Sequence, residues 1–353
     1  MTSRGDRLVE LMDERELDCL LVTQLTNVRW LSGFTGSNGA CVVSRDERLF
    51  FTDFRYVDLA STQVRDFERV EAGRQMLADL ARRLHGRVGF DDRDLTVWLH
   101  RRLEDQVPEG VELVAAGGLV ERLRAVKDDE ELLAMREAAQ LSDLVFEHIR
   151  ERGLVGRTER EVTLDAVRMM EDHGAEGASF PPIVAAAENG ARPHALIRDV
   201  EIPADTLVVI DMGARVGGLC SDCTRTFATG APGDEALAVY ELVRDAQARA
   251  RDAVRAGAAC REVDAVARDL ITAAGYGEQF GHGLGHGVGL EVHEEPRLAS
   301  TAEGALRAGN TVTVEPGVYL PGRFGVRIED LVVTTEGGCE SLTGFPKELV
   351  TVA

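Results

Sequence analysis

Four carboxylates and three histidines in the second half of the chain stand at spacings that could hold metal ions. Leu207, Val208, Val209 and Ile210 run straight into Asp211, and Asp222 lies between Cys220 and Thr224. Gly217 and Gly218 divide this segment into two strands. A hairpin turning on Val216 and Gly217 sets Asp211 opposite Asp222; a turn one residue later makes them diagonal neighbours. Four apolar residues before Asp211 argue against a solvated strand face, and two adjacent buried carboxylates share a proton or bind a cation. The arrangement repeats further on. Thr313 and Glu315 share one strand face, Arg327 and Glu329 share another, and a hairpin centred on Gly322 places Glu315 opposite Glu329. Arg327 could orient a ligating carboxylate; the alternative is a surface ion pair.

Between the hairpins runs GHGLGHGVGLEVHE, residues 281 to 294. Glycines at 281, 283, 285, 287 and 289 let the backbone approach a site closely. His282, His286 and His293 could then project toward one place. One nitrogen with four carboxylates is a hard, oxygen-rich donor set. It suits two divalent ions such as Mn²⁺, Co²⁺ or Zn²⁺ better than one structural zinc, which would use thiolates. Cys220 and Cys223 form a Cys-x-x-Cys, but no second pair stands at zinc spacing, and the strand pattern around them predicts packing.

The elements that must carry these groups fall into two textures. Up to about residue 120, short apolar runs (Cys19 to Val22, Ala40 to Val43, Leu49 to Phe51, Val88 to Phe90, Val111 to Val114) alternate with helical spacing at Leu8 to Met12, Met76 to Leu84 and Leu95 to Leu103. This predicts an α/β domain over residues 1–122. Gly33, Gly36 and Gly39 mark a turn-rich loop, and no glycine-rich phosphate loop opens a helix, which excludes a dinucleotide fingerprint. Residues 120 to 127 form the boundary. Asp128 with Glu131, and Thr158 with Glu161, are capping boxes that start two helices of a second domain, 123–353. Two more helices are expected at 233–256 and 261–274, among strands.

Composition narrows the function. The chain has 353 residues, 61 acidic against 40 basic, and a net charge of −21, which excludes nucleic acid and an anionic membrane face as partners. Only Lys127 and Lys347 are lysines. Charged residues interrupt the first turns after Met1, and no apolar run reaches membrane length, so the expectation is a cytoplasmic protein with reduced thiols.

The ordered set Asp211, Asp222, His286, Glu315, Glu329, carried by IDMG, SDCTRTF, GHGLGHGVGLEVHE, TVEPGVY and GVRIEDL, resembles the dinuclear metal site of the pita-bread metallopeptidase superfamily, which includes methionine aminopeptidase, aminopeptidase P and prolidase. The N-terminal α/β domain followed by VERLRAVKDDEELLAMREA resembles its proline-specific branch. The resemblance implies an α+β catalytic domain with a curved antiparallel sheet and outer helices, commonly in a homodimer. It also implies two divalent metal ions, manganese first, with cobalt or zinc as alternatives. Asp211 would bind one ion, His286 and Glu315 the other, and Asp222 and Glu329 both. A metal-bridging hydroxide would attack the carbonyl of an Xaa-Pro bond, with Glu315 relaying a proton. His194 and His293 would stabilise the intermediate or hold the substrate, and His282 would shape the proline pocket. The substrate expected is a small peptide with proline in second position. Domain size favours an Xaa-Pro aminopeptidase over a dipeptidase (prolidase). A metal-dependent hydrolase of another amide, or an inactive binding protein on the same fold, are the remaining alternatives. Arg192 and Arg198, near His194, could meet a substrate carboxylate or simply be solvated.

Overall fold

The computed structural model describes residues 3–352 and divides between Arg124 and Ala125 into two units. The first is built on a six-stranded mixed sheet in the order Glu68–Glu71, Arg48–Thr52, Gly39–Ser44, Cys19–Val22, Arg87–Phe90, Glu112–Ala115. The central strand Cys19–Val22 is buried along its whole length, as a continuous apolar run requires. Two elements escape the sequence patterns. The edge strand Glu68–Glu71 is polar and exposed, and the helix Leu25–Ser32 lies just before the expected loop, ending at Gly33 with φ +79°. The last helix, Leu119–Arg124, carries this unit two residues past position 122.

This unit also buries a polar cluster. Asn27 Nδ2 reaches Asp91 Oδ2 (3.4 Å) and Glu121 Oε1 (2.7 Å), and Arg124 Nη1 donates to Asn27 Oδ1 (2.8 Å). Burial first, and the charge of Glu121 second, push the Asp91 carboxyl up to about 6 from 3.8. The folded carboxyl therefore holds its proton more tightly than the unfolded one. Stability of this unit should fall as pH rises from about 4 to above 6. Asp91→Asn should flatten that profile and slow amide hydrogen exchange in this unit at neutral pH. A wild-type profile that is flat over the interval would remove the assignment.

The second unit pairs two sets of helices with strands. Asp129–Arg152 and Glu159–Asp172 pack on Ile183–Ala186, Leu207–Met212 and Cys223–Ala228. Asp234–Ala253 and Cys260–Ala273 cover the strands Thr311–Val314, Gly317–Leu320, Phe324–Arg327 and Asp330–Thr334. Both capping boxes form, at Asp128/Glu131 and Thr158/Glu161. Among the described residues no helix is long and apolar enough to cross a membrane.

Both hairpins are present, and their registers are informative. In the first, Thr224 faces Asp211 and Cys223 faces Met212, with Val216 opposite Leu219. The turn is therefore Gly217–Gly218, with φ of +59° and +83°, and Asp222 is the diagonal neighbour of Asp211. In the second, Gly317 pairs with Arg327 and Val314 with Asp330, one register on both sides of Glu315 and Glu329. These two acids occupy the gap between the ladders. Their N–H groups leave the hairpin and donate to Leu284 O (2.8 Å) and Thr224 O (3.1 Å).

Candidate metal centre and substrate cavity

All five donors converge inside the second unit. Oxygens of Asp211, Asp222 and Glu329 lie within 4.8 Å of one another. His286, on the strand Gly285–Gly287, donates from Nδ1 to Gly287 O (3.1 Å). That leaves Nε2 facing the acids, 3.1 Å from Glu315 Oε1 and 3.7 Å from Asp222 Oδ2. A bare lone pair against a carboxylate oxygen is repulsive, so a proton or a cation belongs between them.

Threonines and an arginine hold the acids in place. Thr313 Oγ1 donates to Glu315 Oε1 (2.9 Å) and accepts from the His286 N–H (3.0 Å). Thr224 Oγ1 donates to Glu329 Oε2 (2.7 Å) and accepts from Arg327 Nε (2.9 Å). Arg327 is buried, not a surface ion pair, and the carboxylate it orients is Asp211: Nη2 donates to Asp211 Oδ2 at 2.6 Å. The other strand of the first hairpin brings Asp211 across to it, while its neighbour Glu329 is served by Thr224. Arg327 Nη1 also donates to Tyr319 Oη (2.9 Å) and Pro193 O (3.2 Å).

The electrostatics suit a cation. Burial, then the charges of Glu329, Asp211 and Glu315, push Asp222 well above the usual carboxylate range. Glu329 is raised in the same way, and Asp211 is raised by burial although Arg327 opposes it. Burial would raise Glu315 too, but the hydrogen bond and charge of His286, helped by His282 and Arg327, pull it down to about 2. Two buried oxygens in the cluster, Asp211 Oδ1 and Glu329 Oε1, have no hydrogen-bond partner. Orphaned carboxylate oxygens beside an imidazole nitrogen are what a divalent ion would satisfy, so the residues fit such a group.

The cluster forms the floor of a cavity of about 840 Å³, also lined by His194, His282, His293, Phe180, Ile183, Leu196, Val292 and Arg297. The three sequence-derived histidines differ in freedom. His282 donates from Nδ1 to Gly283 O (2.8 Å) and accepts at Nε2 from the Tyr319 hydroxyl (3.0 Å), so both nitrogens are engaged. His293 stacks edge-on against His286, ring centroids 4.3 Å apart. Desolvation lowers both His282 and His293 from the ordinary imidazole value, which favours their neutral forms. His194 is exposed on the cavity wall.

Several positioning groups went unread in the sequence. Asp264 accepts the Leu284 N–H (3.0 Å) and both arms of Arg268, which in turn donates to Phe280 O (3.1 Å) and His282 O (2.7 Å). One helical turn thus grips the glycine-rich run. Arg297 is a second omission; it faces His286 across the ladder, so the two side chains share a face. Neither Arg192 nor Arg198 lines the cavity: Arg198 is bound by Glu159 and Glu188, and Arg192 reaches Asn189 Oδ1 (3.4 Å). Cys220 and Cys223 are buried with thiols pushed up by burial, and Arg225 Nη1 donates to Cys223 Sγ at 3.2 Å, which suits packing rather than thiolate ligation.

Comparison with known proteins agrees with this architecture. Residues 133–336 match metallopeptidase family M24, and residues 4–126 match the creatinase/prolidase N-terminal domain. The uncharacterized peptidase YqhT of Bacillus subtilis is 40% identical over 349 residues, covering 98% of this chain and 99% of that protein. An Xaa-Pro dipeptidase structure from Bacillus anthracis superimposes with a TM-score of 0.95 at 39% identity, covering 99% of both chains. An X-Pro aminopeptidase structure from Thermotoga maritima gives 0.90 at 34% identity, covering 99% of this chain and 100% of that one. The second unit is thus a pita-bread catalytic domain behind a creatinase/prolidase-type N-terminal domain, and the chain belongs to metallopeptidase family M24.

Proposed function

We propose that this chain hydrolyses the Xaa-Pro bond of short peptides, dipeptides before longer ones, with two divalent cations held by Asp211, Asp222, His286, Glu315 and Glu329. The bound ions supply Lewis acidity and a water acidified to neutral pH; manganese suits this donor set first, cobalt or zinc next. The chain's own groups do the rest. Glu315, ionised beside His286 and lining the cavity, is placed to accept a proton. His293 and His194 offer N–H groups to a developing oxyanion. Phe180, Ile183, Leu196 and Val292 give the apolar wall a proline ring needs. A proline nitrogen carries no hydrogen, and polarisation of the scissile carbonyl by bound cations does not require one.

The observation that carries the length preference is Arg297. Its exposed guanidinium shares a face with His286 and lines the cavity, where it would meet the free carboxylate of a dipeptide. Chain size, which favoured an aminopeptidase, does not discriminate, since the dipeptidase and aminopeptidase structures both match end to end. A panel of Ala-Pro, Ala-Pro-Ala and Met-Ala-Ala with Mn²⁺ should show hydrolysis fastest on the first and none on the last, all lost with chelator. Arg297→Met should raise KM for Ala-Pro by about 10- to 100-fold, the worth of a charged hydrogen bond, and leave Ala-Pro-Ala unchanged. Failure on both proline peptides under every metal rejects the reading in favour of another amide or an inactive fold.

A further inference from the structure

Forty residues of this chain are basic, yet two alone are lysine, and both sit on carboxylates that adjoin site residues. Lys127 Nζ lies 2.5 Å from Glu294 Oε1, with the two side chains only 2% and 5% exposed. Glu294 follows His293 directly and opens the strand Glu294–Leu298. That strand is irregular where it begins. Arg297 pairs with His286, but Gly287 pairs with Glu294, so Glu295 and Pro296 bulge out of the ladder. The carboxylate of Glu294 is wedged against the loop backbone, since a Cβ on Gly289 would lie 2.3 Å from its Oε1. The lysine's own backbone is clamped. Its N–H donates to Gly309 O (2.9 Å), Val126 bridges Asn310, and Asn310 Nδ2 donates to Ala125 O (2.8 Å).

We propose that Lys127 is a positioning residue for His293: its buried ammonium anchors Glu294, and with it the adjoining residue His293, whose ring lies against His286. This rests on the reading of His293 as a substrate-facing group. A compact ammonium suits the buried slot, where a guanidinium would bring five donors to satisfy. Lys347 offers an internal control. It pairs with Asp330, next to Glu329 rather than next to His293, and Arg225 Nη2 (2.9 Å) and Gln247 Nε2 (3.0 Å) donate to Asp330 too.

The test uses zinc-loaded full-length protein labelled with ¹⁵N-histidine, with His293→Ala assigning the His293 imidazole signal. The double variant Lys127→Met/Glu294→Gln removes both buried charges together, so neither is stranded. It should shift or broaden the His293 signal, leave that of His282 in place, and lower kcat for Ala-Pro about tenfold with KM little changed. Lys347→Met should leave the His293 signal where it is. In a His293→Ala background the double variant should cost nothing further. An unmoved His293 signal, or an equal loss of kcat with and without His293, overturns the proposal. Full activity of His293→Ala alone would count instead against the substrate-facing reading, while the spectrum still decides the role of Lys127.

Discussion

Asp222→Asn is expected to empty the metal centre and at the same time to stabilise the metal-free protein. Asp222 stands at the middle of the cluster, its carboxylate oxygen within 4.8 Å of ligand atoms of both Asp211 and Glu329 and 3.7 Å from His286 Nε2. A residue so placed would touch both ions, and an amide supplies neither the charge nor the second anionic oxygen that bridging requires. On the proposed function, several kcal/mol of transition-state stabilisation would be lost with the ions, so Ala-Pro hydrolysis should fall by about 10³-fold or more. Without metal the sign reverses. The wild-type apo protein confines four carboxylates in one buried place, and burial first, with their mutual repulsion second, raises Asp222 and Glu329. Removing one negative charge relieves that repulsion. The variant's Tm in chelator should therefore exceed wild type's, while the upward shift that Mn²⁺ gives wild type should be absent. Two tightly held metals after dialysis of Asp222→Asn would sink the bridging assignment.

Much of this site is legible in the residue order because β-structure has a period of two and a countable register. The pairing of Glu315 with Glu329 follows from Gly322 and from alternation on either side, and the observed ladders keep that register. The first hairpin had two readings, and elementary sterics separates them. A two-residue hairpin turn needs positive φ at its first central position, and in type I′ at both; Gly217–Gly218 supplies this, whereas a β-branched Val216 at the first position is excluded. Thr224 opposite Asp211 was implied by the same count.

What stayed hidden depends on which strand or helix lies across from which. Alternation puts Arg327 and Glu329 on one face, but only the sheet's assembly brings Asp211 to the guanidinium. Asp264 and Arg268 look like an ordinary i,i+4 surface pair until the glycine-rich run is laid over them. Arg225, fully buried among Asp330, Phe345 O and Cys223, carries no local sign of burial either. In the first unit, Glu68–Glu71 forms a strand by pairing at an edge, where no apolar pattern is demanded.

Arg327→Lys separates the roles of the two hairpins. The arginine reaches Asp211, Thr224, Tyr319 and Pro193 from one planar head, and it is fully enclosed. Lysine keeps the charge but has one nitrogen, so it can hold Asp211 or support Tyr319 and Thr224, not all together. If it follows Asp211, the hydroxyl that donates to His282 loses its own donor; if it does not, Asp211 loses its guanidinium partner. Either way the group orienting Asp211, a ligand in the proposed centre, is lost, which should cost about 10- to 100-fold in metal affinity or activity. The loss should fall mainly on one ion, because Glu315, His286 and Asp222 make their mutual contacts without this guanidinium, and Glu329 is linked to it only through Thr224. Metal titration should accordingly show one site weakened and one unchanged, with kcat for Ala-Pro reduced in proportion and a Tm in chelator at or below wild type. That pattern is the opposite of Asp222→Asn, where both ions go and the apo protein gains stability. Equal weakening of both sites in Arg327→Lys would mean that Asp211 does not serve a single ion, and unchanged titration with unchanged kcat would mean that the guanidinium does not set its position.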